Sequence, residues 1–331
     1  MLGAGLKGLT GVGPEVGKHL YSIFVSPQLV HGLESLILTA PDNVKLEDFF
    51  KANLRYIQHF PKCTAIPALY LLMGVPPVEA TIHIRTITFF ASALRRPNSV
   101  EYKVIERQLT MKSSSSHSWV WYVNGLLKQY RLPSGFSLLE YTPEKERWKR
   151  IVKAAVLNKW ERDLKEHAES KSTLSLLNLD ICNLSHVHPV WRLGSANSLT
   201  VLKATTKAKL LVQRYPLFYN RISWINYGKP CPLCKSEAET LSHFLLECAS
   251  LRTTRQPFMP KIRDLIAAAG IHTPVDMIRL ILDPSNYMPD PLLDLAEETT
   301  RDLCFALHQT RSSSLGYFQC YRHHRDNILH C

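Results

Sequence analysis

Four side chains able to bind a soft or borderline metal ion fall within 18 residues, Cys231, Cys234, His243 and Cys248, in the order Cys-x2-Cys-x8-His-x4-Cys. Zinc takes four nitrogen or sulfur ligands tetrahedrally at roughly 2.0–2.3 Å, and a two-residue gap lets one tight turn present two thiolates to one ion. Gly228 and Pro230 lead into such a turn, and Pro232 inside it fixes a backbone angle. Ser236 with Glu239 reads as a capping box that starts a short helix carrying Leu241, Phe244 and Leu245 on one side. His243 then lies within that helix. Cys248, five residues on, is too far round an α-helix to share its face, so the chain must turn there. Three cysteines and a histidine leave no open coordination position, so the expectation is one zinc ion in a structural role. The other reading is unrelated core cysteines, against which the spacing and the polar residues around the ligands both speak.

The second feature is electrostatic. Residues 181–236 contain no acidic residue, while Arg192, Lys203, Lys207, Lys209, Arg214, Arg221, Lys229 and Lys235 are basic. Trp191, Tyr215, Phe218, Tyr219, Trp224 and Tyr227 are interleaved with them. Basic side chains neutralise phosphates and aromatic faces stack on unpaired bases. This stretch is therefore expected to bind RNA or DNA, with Arg192, Lys203, Lys207, Lys209, Arg214, Arg221, Trp224 and Lys229 as contacts. The alternative is that the aromatics are core and the charges a solvated face. Asp276, Asp283, Asp290, Asp294, Glu297, Glu298 and Asp302 form an acidic set further on, which either docks on the basic stretch or is solvated. His186 and His188 lack a spaced third ligand and read as loop or core, and His323-His324 as a tail.

Composition sets outer limits. The chain has 331 residues, 45% of them hydrophobic, and a formal net charge of +12, which points to an anionic partner. Eight cysteines are too few for a disulfide scaffold in this length. Cys63, Cys182, Cys304, Cys320 and Cys331 are expected as free thiols in a reducing interior, nuclear or cytoplasmic. No apolar run approaches the roughly 18–20 residues that span a bilayer, and the N-terminus is no secretory signal, so neither a membrane nor a small-molecule substrate is expected.

The elements that must position these groups are helical. Pro27 interrupts an apolar stretch from Glu15 to Leu38, giving two short helices or one kinked one. Leu46, Phe49, Phe50, Leu54, Ile57 and Phe60 recur at helical spacing, Ala68–Met73 is a second helix, and Val78, Ile82, Thr86, Phe89, Phe90 and Ala93 mark a third. A long helix from Glu144 to Lys171 carries the stripe Trp148, Ile151, Val152, Ala155, Val156, Trp160 and Leu164. Residues 174–184 read as a strand. Leu199–Arg214 reads as a basic helix, and Lys261–Ala269, Val275–Leu282 and Leu292–Leu307 as three more. The fold class is mainly α. Four regions are expected: a helical bundle at 1–110, a linker and long amphipathic helix at 111–180, the basic segment with the metal motif at 181–256, and a helical C-terminal region at 257–331.

The run from Lys209 to Arg221 together with the Cys231–Cys248 motif resembles the zinc-binding domain near the C-terminus of non-LTR (LINE-type) retrotransposon reverse transcriptases. Residues 2–9, the stretch from Pro27 through His31, Gly32 and Glu34, and Leu71–Pro77 are similar to the thumb and connector that follow the polymerase palm in that family. The resemblance implies zinc ligands at Cys231, Cys234, His243 and Cys248. It also implies a thumb-like N-terminal bundle and a polymerase domain encoded separately upstream. Polymerases of this family hold two metal ions on adjacent palm aspartates, and no Asp-Asp pair occurs in this chain. The expected function is therefore not enzymatic: a zinc-binding, nucleic-acid-binding C-terminal fragment that positions RNA or target DNA. Two alternatives stand beside it. One is a metal-dependent endonuclease using Asp283, Asp290 and Asp294, against which no lysine follows Lys261. The other is a decayed or domesticated interaction scaffold.

Overall fold

The computed structural model describes residues 12–113, 115–193, 197–219 and 229–315. It is 67% helical, with fourteen α-helices and no strand among the described residues, so the mainly-α fold is shown. In chain order these are α1 (Pro14–Leu20), α2 (Ser26–Leu29), α3 (Ala40–Gln58), α4 (Ile66–Met73), α5 (Val78–Leu94), α6 (Val100–Met111) and α7 (Trp119–Gln129). There follow α8 (Gly135–Glu140), α9 (Lys145–Glu169), α10 (Ser198–Leu211), α11 (Arg252–Arg255), α12 (Met259–Ala268), α13 (Met277–Leu282) and α14 (Asp290–Ser314). The chain forms two compact units, and neither is continuous in sequence.

One unit comprises His19–Lys51 and Val75–Glu166. Its core joins Ile87, Phe90 and Leu94 of α5, Ile105 and Leu109 of α6, Val120, Val123 and Leu127 of α7, Leu138 of α8, and Trp148, Val152 and Val156 of α9. The stripe read on the long helix is thus a packing face, with Ile151 at its edge and 39% exposed. Ser99 caps α6 by accepting from the Tyr102 amide, and Ser134 caps α8 by accepting from the Ser137 amide. Residues 112–113 and 115–117 lie between α6 and α7, which pack together: Trp121 Nε1 donates to the Gln108 carbonyl at 3.2 Å. A buried polar chain crosses the core, where the Tyr130 hydroxyl meets His83 Nδ1 at 2.7 Å and Trp160 Nε1 at 3.0 Å.

The other unit comprises the described part of Met1–Lys18, together with Ala52–Gly74 and the described part of His167–Cys331. Its α4 is apolar on every side and buried from Pro67 to Met73. It ends at Gly74 with φ +58°, so close to the His186 carbonyl that a Cβ there would lie 1.8 Å from the oxygen. No strand forms at 174–184. A short 3-10 turn at Ser172–Leu174 leads into irregular chain held by side chains, with the Asn178 amide bonding Asp283 Oδ2 at 2.7 Å. Asp283 and His188 are both fully buried, His188 Nε2 lying 3.4 Å from Asp283 Oδ2. Helix α10 packs along α14, and Val201, Ala204, Ala208, Leu210 and Leu211 of α10 are all buried. Helix α14 also packs against the metal motif.

Candidate metal centre

The motif folds as a knuckle followed by one widened helical turn. The Cys231 amide donates to the Glu237 carbonyl at 2.6 Å, and the Lys235 amide returns to the Cys231 carbonyl at 2.8 Å through a left-handed Lys235 (φ 58°). Pro230 and Ala238 form an antiparallel bridge that closes the loop. The helix starts later than the capping-box reading has it. Thr240, not Ser236, caps it, its hydroxyl accepting from the His243 amide at 3.0 Å. From His243 to Glu247 the turn is a π-turn, with the Cys248 amide bonded to the His243 carbonyl at 2.8 Å. That wider turn swings residue i+5 back towards residue i. It is how two ligands five apart in sequence come to face one point, and the chain leaves the turn at Cys248 as expected.

Four donor atoms converge there. One ligand atom from each of Cys231, Cys234, His243 and Cys248 lies within 4.8 Å of the others. Cys231 Sγ and Cys248 Sγ are 3.9 Å apart, and Cys234 Sγ is 3.3 Å from His243 Nε2. A tetrahedron with metal–sulfur bonds near 2.3 Å has edges of about 3.8 Å. The group could hold a metal ion, and its donor set is that of a closed structural site.

The surroundings tune these donors. Burial pushes the Cys231 thiol up to about 12, against backbone amide bonds from Cys234 and Leu233. At Cys234 burial acts the same way, but the Ser236 hydroxyl and the amides of Ser236 and Glu237 outweigh it and bring the thiol down to about 6. His243 Nδ1 bonds Glu237 Oε2 at 3.0 Å, which fixes the tautomer and leaves Nε2 facing the sulfurs. Arg255 is buried and donates to the Cys248 carbonyl at 2.5 Å. A dication with three thiolates carries one net negative charge, and the Arg255 guanidinium is the cation beside it. Sequence reasoning missed Glu237 and Arg255, since neither belongs to a ligand pattern.

Glu239 has a different task from the capping one read for it. It is fully buried, and its carboxylate takes the Phe218 amide at 2.8 Å and two bonds from Arg311 of α14. The Arg311 guanidinium lies over the rings of Tyr215 and Phe218, and Tyr215 stacks on Phe244 with centroids 5.5 Å apart. The knuckle is thereby seated on the helical body.

The basic stretch needs correction at several positions. Lys207 is not a phosphate contact. It is fully buried, and its ammonium bonds Glu297 Oε2 and Thr300 Oγ1, each at 2.7 Å. Lys203 pairs with Asp302 at 2.7 Å. The acidic set therefore does dock on the basic helix, at two of its members. Trp191 and Tyr215 are core side chains, at 0% and 4% exposure. Arg192 and Lys229 are exposed, and Lys209 and Arg214 half-buried, while Arg221 and Trp224 lie outside the described residues. The three aspartates of the endonuclease alternative do not converge: Asp283 is buried against His188, and Asp290 and Asp294 are exposed.

No protein-family model matches the chain, and neither a curated protein nor a solved structure matches it. No described helix is long and apolar enough to cross a membrane.

Proposed function

We propose that this chain is a zinc-stabilised, non-catalytic nucleic-acid-binding module, related to the C-terminal part of LINE-type reverse transcriptases, that positions RNA or target DNA for a separately encoded polymerase domain. The observation that carries the reading is the Cys231–Cys234–His243–Cys248 group. Its four donors lie within 4.8 Å of one another, in the motif order the resemblance rests on, and three thiolates with one imidazole are the donor set of a closed zinc site. Zinc suits three thiolates and one imidazole, and binding it gathers groups that would otherwise repel, so metal affinity is folding energy for the segment around the knuckle. A net charge of +12 supports an anionic partner, with Arg192, Lys229 and Lys235 exposed.

The test has two parts. The purified chain is assayed for zinc, with one ion per chain expected, and the Cys231→Ser/Cys234→Ser double variant is expected to lose it. Binding to single-stranded RNA and DNA is then measured against salt, with log affinity expected to fall by roughly 0.7 per phosphate neutralised. Full zinc occupancy in the double variant overturns the metal assignment. Affinity indifferent to salt overturns the nucleic-acid reading.

A further inference from the structure

The charges of α9 change character along the helix. From Lys159 to Glu166 they cancel in pairs one turn apart: Lys159 with Asp163, Lys165 with Glu161 at 3.1 Å, and Arg162 with Glu166 at 3.9 Å. The first turns are different. Residues 144–153 hold five basic side chains, Lys145, Arg147, Lys149, Arg150 and Lys153, against two acidic ones. Glu146 is engaged with Lys149 at 2.9 Å. Glu144 is engaged with the start of the helix, its carboxylate taking the amides of Glu146 and Arg147 at 2.9 and 2.8 Å. Those two amides first, and then the charges of Arg150 and Arg95, lower its pKa. Lys145, Arg147, Arg150 and Lys153 are exposed, and none closes an ion pair among the described residues.

The helix does not ask for this arrangement. Arg147 and Arg150, and Arg150 and Lys153, are three residues apart, while Lys149 is four from both Lys145 and Lys153, so like charges are neighbours on the surface and repel. They also crowd the end of the helix where the backbone dipole disfavours a cation. Packing gives no reason for them, since the core side chains of these turns are Trp148, Val152 and Val156. Local rules broken without compensation are expected where a surface has a function.

The surface continues beyond α9. Arg95, directly after α5, donates from Nε and a terminal nitrogen to the Pro143 carbonyl at 3.2 and 3.0 Å. That ties the end of α5 to the entry of α9 and brings the exposed Arg96 to the same end. Tyr141, two residues before Pro143, is 70% exposed.

We infer that the exposed face of α9 from Lys145 to Lys153, with Arg96 and Tyr141, binds single-stranded nucleic acid. Unpaired exposed cations neutralise backbone phosphates and release their counterions, and an exposed aromatic ring offers a base a face to stack on. A duplex hides its base faces, so Tyr141 favours a single strand. The inference rests on the nucleic-acid reading for the class of partner. It puts the contact in the unit built from α5 to α9, away from the 181–236 stretch, where Lys203 and Lys207 are engaged with Asp302 and Glu297.

The experiment measures the full chain across salt concentrations against a single-stranded thymidine decanucleotide, a duplex of the same length and vesicles containing phosphatidylserine. Arg147→Gln/Arg150→Gln/Lys153→Gln should lower the slope of log affinity against log salt for the decanucleotide by about 2, three phosphates at roughly 0.7 each, and weaken binding about a hundredfold at 0.1 M salt. Its urea midpoint should equal or exceed the parent's, because repelling charges leave an exposed face, and this separates lost contact from lost fold. Tyr141→Ala should weaken binding about fivefold or more with the slope unchanged. Arg162→Gln/Lys165→Gln, which removes two paired cations from the same helix, should keep the parent's slope. A triple variant with the parent's slope overturns the surface and leaves the nucleic-acid reading standing, as does a slope lowered equally by the paired-cation variant. A parent that binds neither the decanucleotide nor the duplex overturns both. Tighter binding to the duplex or the vesicles than to the decanucleotide, lost in the triple variant, overturns the assignment to a single strand.

Discussion

Arg311 and Glu239, 72 residues apart, form a two-pronged buried pair: Arg311 Nε lies 2.6 Å from Glu239 Oε1, and a second guanidinium nitrogen 2.9 Å from Oε2. The same guanidinium donates to the Pro216 carbonyl at 3.0 Å, and the same carboxylate takes the Phe218 amide. One ion pair thus ties α14, the segment entering the knuckle and the knuckle itself. Arg311→Met strands a buried carboxylate and should cost about 3–5 kcal/mol. The Arg311→Met/Glu239→Gln double variant should recover part of that. Urea unfolding of the zinc-loaded chain reads both, and a single variant as stable as the parent would show that the pair holds nothing.

Lys207 gives a second prediction because it separates stability from binding. Its ammonium is buried on Glu297 and Thr300, so Lys207→Met should destabilise by about 3–5 kcal/mol. The salt dependence of nucleic-acid binding by the folded fraction should not change, since a buried lysine releases no counterion. A slope reduced by about 0.7 for this variant would mean that Lys207 reaches a phosphate after all.

How much of this was legible follows from where the deciding partner lies. Leu54 and Ile57, and likewise Trp148, Val152 and Val156, announce their helices because periodicity is local. The metal group is legible because three of its ligand spacings are short. Lys207 is not legible, because a charged residue does not tell where its counter-charge sits, and here it comes from 90 residues later. Ser236 and Glu239 match a capping box by pattern, yet Thr240 caps the turn and Glu239 goes to Arg311, a competition settled by tertiary packing. The π-turn at His243–Glu247 has no signal in residue type, and α6, α7 and α8 went unread in the sequence.

Gly74 and Gly270 make a matched pair. Both have positive φ, +58° and +65°. At Gly270 a Cβ meets nothing within 4 Å, so Gly270→Ala should cost only the left-handed penalty of about 1–2 kcal/mol. At Gly74 a Cβ would fall 1.8 Å from the His186 carbonyl oxygen, and backbone must move to make room. Gly74→Ala should therefore lower the melting temperature several times further than Gly270→Ala. Equal shifts would mean that the α4 end does not press on residue 186.

His83 sets a pH dependence whose sign can be worked out. Burial, with the Lys159 charge adding to it, lowers its pKa to about 4, while Glu79 Oε1 at 3.7 Å and the Tyr130 hydroxyl are its other polar neighbours. In the unfolded chain a histidine titrates near 6.5. Between those values the unfolded state holds a proton that the folded state does not, so stability falls as pH falls from about 6.5 towards about 4. Above the window His83 is neutral in both states, and below it charged in both, so it adds no slope at either side. One proton is worth at most about 1.4 kcal/mol per pH unit. His83→Gln also loses the bond to Tyr130, which lowers stability at every pH alike, so the test is the slope and not the level. Urea midpoints at a series of pH values between 4 and 7 should fall less steeply for His83→Gln than for the parent, by up to that amount. His59 and His308 remain in the variant to supply the residual slope, since burial lowers them in the same direction. Parallel curves for parent and variant would mean that His83 takes up its proton without opening the core.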